Sequence, residues 1–333
     1  MAVVYVREQG AFIKKVDERI VVEKNCKNLA DVPLREISGL SIMGNIQIST
    51  QAVQMLLRAG VDISYFTYSG KYIGHAFSGS SKNVFLRLAQ YELYDNMERR
   101  LEYARVIVAN KITNQIAVIK NYNWSGIEYD YSKEVILLKS QILSLADKKT
   151  TNQIMGVEGN CSSIYFSVMS HMFKSTLKFD KRTRRPPKDP INVILSLAYT
   201  LLTKEMICTL ESESFETYLG FLHGIKYGRQ SLALDIIEEF RQLAIDRLVL
   251  YVFNKNILGE LDFEYRDGKV ILLESGFQKF CKQYEKWMNA PVCVHDNRTF
   301  RQIMKNQVQC LKKSINENIM YKPFEWREPN VLD

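Results

Sequence analysis

The sequence predicts an α+β protein in which a small β-rich N-terminal domain is followed by a larger, mainly α-helical domain. Three observations support this. The chain has 333 residues, enough for two domains with buried cores. Short β-prone runs separated by turn-like segments fill the first eighty residues, and apolar residues then recur at helical spacing. We therefore expect domains at 1–80 and 81–333, joined by a linker at Gly79-Ser80-Ser81.

The N-terminal domain is predicted to contain six strands and one helix. Ser49 or Thr50 is a suitable N-cap for the helix, and Gly60 is a suitable residue to end it. The predicted strands are 3–6, 11–16, 19–23, 36–43, 61–67 and 71–77.

The second domain is predicted to be helical apart from one β-hairpin. The hairpin spans 261–273, where Asp267-Gly268 between apolar runs is typical of a tight turn. Helical spacing begins at Val84 and continues to Ile119. Further helices are predicted around 132–147, 160–177, 190–208, 231–254 and 274–290.

Composition indicates a soluble cytoplasmic protein. The apolar fraction is 46% and the charged fraction 25%, as in ordinary globular proteins. No run of about 18 uncharged apolar residues suggests a membrane helix, and the N-terminus lacks a secretory signal. The six cysteines show no CxxC pair and no zinc-type spacing, which favours reduced, structural thiols.

The distribution of positive charge indicates a polyanionic partner. The net charge is +8 and the isoelectric point about 9.0. Six basic residues fall within eleven positions of a proline-rich segment, 178–190, which we call the basic arm. The arm is either a solvated charge run or an exposed, stiff loop that contacts DNA phosphates. In the second case its DNA-binding residues are Lys181, Arg182, Arg184, Arg185 and Lys188.

Two carboxylate motifs and one histidine are candidates for the reactive site. Glu158 is flanked by glycines in Gly156–Asn160, where we expect a loop to enter a helix. An acid that only stabilises a helix N-terminus is the alternative. His223 precedes an amphipathic run in which Asp235 and Glu238 share a flank at i and i+3. A structural histidine beside a solvated polar face would explain that run equally well.

Two carboxylates and one imidazole form a ligand set suited to Mg²⁺ or Mn²⁺. Three protein ligands leave room for water and phosphate oxygens, and the ion would activate an attacking hydroxyl. The sequence contains no GxxxxGK[ST], HExxH or GxSxG motif that would indicate another chemistry.

Several short motifs, taken in order and spacing, resemble one family. The chain is similar to the CRISPR-associated spacer-acquisition integrases, which are metal-dependent DNA endonucleases. The resemblance spans nearly the whole chain. Its motifs are Ile48-Ser49-Thr50, the stretches 109–115 and 184–192, Gly156-Val157-Glu158-Gly159, Leu222-His223-Gly224 and the stretch 231–238.

The resemblance implies a β-domain that forms a homodimer and a helical catalytic domain. Two such dimers would flank a dimer of a small companion protein in a heterohexamer that captures short double-stranded DNA. The family's metal ligands map onto Glu158, His223 and Glu238, with Asp235 supporting or joining the catalytic site. A 3′-hydroxyl of the captured DNA would then attack a phosphodiester at the edge of a CRISPR repeat.

The chain departs from the family pattern at two places. Cys161-Ser162-Ser163 stands where many members carry a basic residue, and Glu238 stands where some have Asp. Glu239 is expected to face solvent or to form a structural ion pair.

Two other functions remain open: a non-catalytic DNA-binding scaffold of the same fold, and a repair nuclease that acts on branched DNA without CRISPR arrays.

Overall fold

The protein has a β-rich N-terminal region and a mostly helical remainder, so the predicted fold class is confirmed. The computed structural model describes residues 2–77, 83–184, 186–266, 268–293 and 296–326. The chain divides into two compact units, Met1–Ser80 and Ser81–Asp333. The predicted linker at 79–81 lies outside the described residues.

The N-terminal unit contains two four-stranded sheets and one helix around a shared apolar core. Strand order is β1-β5-β7-β8 in one sheet and β4-β3-β2-β6 in the other. Ile13, Ile20, Leu40, Leu56 and Ile63 are fully buried in the core. The elements are β1 (Ala2–Val6), β2 (Phe12–Val16), β3 (Arg19–Lys24), β4 (Lys27–Pro33), β5 (Ile37–Met43), β6 (Gln47–Ile48), α1 (Thr50–Arg58), β7 (Asp62–Phe66) and β8 (Tyr72–Ala76).

The predicted strands and helix of this unit are all present. Ser49 caps α1 by accepting a hydrogen bond from the Ala52 amide at 3.2 Å, and Gly60 follows the helix with a φ of +72°. The sequence did not reveal β4 or β6. Strand β4 is largely exposed, so it lacks the apolar run that indicates a strand.

The second unit is built from helices and two short hairpins. The elements are α2 (Val84–Asp95), α3 (Met97–Lys120), α4 (Ser132–Ser144), α5 (Thr151–Ser170), α6 (Pro190–Ser212), α7 (Ser231–Ile236), α8 (Arg247–Asn254), β9 (Phe263–Arg266), β10 (Lys269–Leu272), α9 (Glu274–Met288), β11 (Pro291–Cys293), β12 (Asp296–Thr299) and α10 (Phe300–Asn316). The predicted hairpin is confirmed as β9 and β10, with Asp267 outside the described residues. The hairpin β11–β12 and helix α10 were not predicted.

Two of the predicted helices were wrong in detail. Helix α5 begins at Thr151, so Gly156–Asn160 lies inside a helix and not in a loop. Thr150 caps it by accepting from the Gln153 amide at 3.3 Å, which fixes the earlier start. The helix predicted at 231–254 is not regular, because a 3₁₀ turn (Ile237–Glu239) and a π-helical turn (Arg241–Asp246) separate α7 from α8.

Helix α6 is long and apolar enough to cross a membrane, by length and composition alone. In the structure it packs against α7, α8, α10 and β10. Its buried residues include Ile191, Leu195, Ala198 and Leu202. Helix α6 is therefore a core helix of the second unit.

Candidate active site

Two glutamates from different elements meet at one buried ammonium group. Glu158 lies on α5, Glu238 on the 3₁₀ turn after α7, and Lys111 on α3. The Lys111 ammonium donates to Glu158 Oε1 and lies 2.7 Å from Glu238 Oε2. The side chains of Lys111 and Glu238 are each only 3% exposed, and that of Glu158 is 22% exposed. The structure thus brings together Glu158 and Glu238, the two carboxylates predicted from the sequence as metal ligands.

Positive neighbours keep Glu238 ionised in spite of its burial. Burial alone would raise the pKa of this carboxyl, but the charges of Arg241 and Lys111 outweigh it and lower the pKa to about 2. Arg241 contributes an ion pair at 3.1 Å to Oε1. Glu238 is therefore a buried anion. An acid on the polar side of an amphipathic helix more often faces solvent.

His223 is held by a loop that wraps around the Asp235 carboxylate. The amides of Phe221, Leu222 and His223 all donate to Asp235, at 2.5, 2.9 and 3.0 Å. Gly220 permits this approach, since a Cβ there would lie 2.8 Å from Asp235 Oδ2 and 2.7 Å from the Ser231 Cβ. Only glycine fits at this position without moving the loop.

Asp235 also fixes the imidazole of His223. His223 Nδ1 lies 2.6 Å from Asp235 Oδ1. A carboxylate oxygen accepts, so Nδ1 carries a proton, and in the neutral imidazole Nε2 has a lone pair for a ligand. The Asp235 side chain is fully buried behind the histidine. Asp235 therefore orients His223. The described contacts of the Asp235 carboxylate are with residues 221–223 and do not include Glu158.

The donor set fits a hard divalent cation in its chemistry. Two carboxylates and one imidazole nitrogen suit Mg²⁺ or Mn²⁺. Glu238 Oε2 is buried, and its partner among the described residues is the Lys111 ammonium at 2.7 Å. Within the described ranges, no three His, Cys, Asp or Glu side chains are gathered closely enough to hold an ion as they stand. The Lys111 ammonium lies between the two glutamates.

The side of α5 that carries Gly156 and Gly159 has open space around it. A Cβ at Gly156 or Gly159 would meet no atom within 4 Å. Ser162, one turn further on, donates to Glu158 Oε1 at 2.9 Å. In place of a basic residue, this part of the chain therefore supplies a hydroxyl that orients the glutamate.

Glu239 contradicts the expectation of solvent or an ion pair. It is fully buried and accepts from the Tyr321 hydroxyl, from Gln307 Nε2 at 3.2 Å and from the Phe324 amide at 3.0 Å. Residues 321–326, the C-terminal strap, thus bind the residue next to Glu238. The strap makes a second contact where Phe324 lies parallel to Phe240, with 6.3 Å between ring centroids.

The basic arm is only partly a free charged surface. Lys181, Arg184 and Lys188 are exposed, and Arg185 lies outside the described residues. Arg182 is tied down within the protein. Its guanidinium donates to Asn192 Oδ1 at 2.7 Å and to the Ser196 hydroxyl at 3.0 Å, and it stacks over the Tyr199 ring. The structure thus gives Arg182 a structural role in holding the arm to α6.

Sequence reasoning missed the inward-facing polar residues of α3. Lys111, Asn114 and Gln115 are buried, although polar residues on a long helix usually face solvent. Asn114 Nδ2 donates to the Glu239 carbonyl at 2.9 Å and to Asn110 Oδ1 at 3.1 Å. The available signal was the position of these residues among apolar neighbours on one helix, where polar side chains at i, i+3 and i+4 share a face.

Comparison with known proteins gives a consistent result. The sequence model of the family described as CRISPR associated protein Cas1 matches residues 4–286. A relative from Thermus thermophilus, CRISPR-associated endonuclease Cas1 3, is 30% identical over 333 residues and is matched over 98% of both chains. A solved Cas1 protein from Thermotoga maritima has a TM-score of 0.82 at 24% identity, covering 98% of this chain and 100% of that one. A casposase bound to an integration product has a TM-score of 0.85 at 23% identity, covering 98% and 95%. The two structural matches show a shared fold.

Proposed function

Because this chain belongs to the CRISPR-associated protein Cas1 family, we propose that it is a DNA endonuclease and integrase dependent on Mg²⁺ or Mn²⁺. It inserts short duplex DNA as a new spacer into a CRISPR array. One observation carries the proposal: Glu158 and Glu238, from separate elements, converge on a single buried cationic position beside an oriented histidine. A purely DNA-binding scaffold has no need of a buried carboxylate held ionised in this way.

Glu158, Glu238 and the Nε2 atom of His223 would hold the ion. When bound, the ion supplies Lewis acidity to the phosphodiester and favours ionisation of the attacking hydroxyl. Asp235 keeps the imidazole in the required tautomer, and Arg241 keeps Glu238 anionic. The open space at Gly156 and Gly159 would let a DNA backbone approach α5.

The proposed reaction is a transesterification. The 3′-oxygen of the captured DNA forms a new bond to phosphorus at the edge of the repeat. The bond to the leaving 3′-oxygen of the repeat strand breaks, and that oxygen takes up a proton. With water as the nucleophile, the same centre would cleave branched or single-stranded DNA.

The proposed partners follow from the family resemblance. They are double-stranded DNA, a second copy of this chain, and a dimer of a small companion protein that completes a heterohexamer in the cytoplasm. The exposed residues Lys181, Arg184 and Lys188 support a role of the basic arm in holding DNA phosphates.

An integration assay tests the proposed function. Purified protein, companion protein, Mn²⁺ and short duplexes are incubated with a plasmid that carries a repeat. We expect joined products at the repeat edges, and loss of these products when the companion or the repeat is omitted. Cleavage of branched DNA without repeat-directed joining would favour the repair nuclease, and DNA binding without any turnover would favour the scaffold.

A separate prediction concerns the contribution of the basic arm to DNA binding. The double variant Lys181→Ala/Arg184→Ala should bind duplex DNA more weakly, and its slope of log affinity against log salt should fall by up to about 2, because each lost phosphate contact releases about one counterion fewer. The double variant Lys282→Ala/Lys286→Ala on α9 removes the same charge from another exposed surface. Equal slopes for both double variants would exclude the arm as the main DNA contact.

A further inference from the structure

Lys111 occupies an unusual position for a lysine. Its side chain is 3% exposed, and its ammonium contacts the two glutamates proposed as metal ligands. Buried lysines are rare unless they are paired. Here the pairing is with oxygen atoms of the proposed metal ligands, so an ion bound between the two glutamates would be repelled by the charge of the ammonium.

The charges around this position are balanced without an ion. Two carboxylates, Glu158 and Glu238, face two cations, Lys111 and Arg241. Addition of a divalent ion would leave an excess of positive charge at this site, even when the Asp235 carboxylate behind His223 is counted. Such an excess needs an anion, and a DNA phosphate is the anion that the proposed reaction brings to this place.

The two cations differ in how firmly they are held. Arg241 pairs with Glu238 Oε1 and stacks over the Tyr199 ring at 5.1 Å, which fixes its planar guanidinium. Lys111 carries its charge at the end of a flexible four-carbon stem, and its ammonium is bound to the glutamates alone among the described contacts. Lys111 is therefore the cation that can move.

We propose that Lys111 is a built-in competitor of the metal: its ammonium holds Glu158 and Glu238 together in the metal-free protein and moves to a phosphate oxygen of bound DNA when the ion enters. This rests on the proposed metal-dependent function. It makes metal and DNA binding mutually supportive, since each favours the released position of the ammonium. The free protein would hold its metal weakly, which limits cleavage until DNA is in place.

The test measures Mn²⁺ binding by electron paramagnetic resonance, with and without a short DNA duplex, after subtraction of binding to DNA alone. For the wild type we expect the duplex to tighten Mn²⁺ binding by at least about fivefold. Lys111→Met should bind Mn²⁺ at least about tenfold tighter than the wild type without DNA, and should show a smaller effect of DNA. Lys204→Met is the matched control, because Lys204 is a buried lysine on α6 that forms no ion pair with either glutamate in the described structure.

A charge-conserving variant keeps the test decisive if Lys111→Met fails to fold without metal. In Lys111→Arg the forked guanidinium binds both carboxylates at once, so Mn²⁺ binding without DNA should be weaker than in the wild type. Unchanged Mn²⁺ affinity in Lys111→Met, or tighter binding in Lys111→Arg, would overturn the inference. Glu158→Gln separates this outcome from failure of the proposed function: if it binds Mn²⁺ as the wild type does, the metal site itself is wrong.

Discussion

Glu158→Gln is expected to reduce the rates of metal-dependent cleavage and strand transfer by at least about 100-fold. Loss of a residue that only hydrogen-bonds to a metal ligand typically lowers metal affinity or activity by about 10- to 100-fold, and loss of a ligand itself should cost at least as much. The substitution removes one negative charge and one anionic oxygen while keeping the size of the side chain. The amide oxygen can still accept from Ser162, which now bonds to Glu158 Oε1 at 2.9 Å. The fold should therefore survive, and the loss should be chemical.

Three measurements separate this loss from its alternatives. Initial rates of strand transfer and of branched-DNA cleavage report the chemistry, and DNA affinity reports binding, which should change little. Glu317→Gln is the matched control, because Glu317 lies at the exposed C-terminal end of α10, where its ion-pair partner in the described part of the chain is Lys313, one turn earlier. Wild-type rates in Glu158→Gln, in a preparation free of contaminating nuclease, would show that this site does not carry the reaction.

The sequence predicted the fold class because its signals are periodic and local. Alternating β-prone runs and helical spacing need no knowledge of the tertiary structure. The start of α5 was missed because two glycines and an acid resemble a loop, while the capping hydroxyl of Thr150 lies several residues earlier. Hairpin β11–β12 was missed because its short strands lack a long apolar run.

The sequence proposed the acids and the histidine of the candidate site, but not the cations beside them. Glu158, His223 and Glu238 lie far apart along the chain, and the family resemblance was needed to join them. Lys111 stands among apolar residues of α3, but a lysine on a long helix usually points to solvent, so this pattern alone does not predict its burial. Its burial follows from the long-range contact of α3 with α5 and with the 3₁₀ turn after α7.

The distortion between α7 and α8 has a physical cause that periodicity cannot reveal. Asn114 takes the Glu239 carbonyl as a hydrogen-bond acceptor, and the Phe240 amide bonds to the Ile237 carbonyl at 2.9 Å in a 3₁₀ pattern. Side-chain groups that compete for backbone carbonyls interrupt a helix in this way. As a result two consecutive carboxylates are buried, with Glu238 bound to Lys111 and Glu239 bound to the C-terminal strap.

Glu239 links the stability of this segment to pH. Burial raises the pKa of Glu239 to about 7, although Tyr321, Phe324 and Gln307 partly oppose the rise through their hydrogen bonds. Between about pH 4.5 and 7 the folded protein therefore binds a proton that the unfolded chain has released. The stabilising contribution of this group is complete below about pH 4.5 and is lost as the pH rises through 7, by up to about 3 kcal/mol.

Glu239→Gln should remove this pH dependence, because the amide has the same shape and does not titrate. Its oxygen can still accept from the Tyr321 hydroxyl or the Phe324 amide, so the C-terminal strap keeps an attachment point. Relative to the wild type, the free energy of unfolding of Glu239→Gln should increase by up to about 3 kcal/mol between pH 4.5 and 7.5. Guanidinium unfolding at both pH values measures the difference, and Glu317→Gln should run parallel to the wild type. Parallel curves for Glu239→Gln as well would mean that Glu239 is ionised throughout, with its charge fully supported by the hydrogen bonds of the strap.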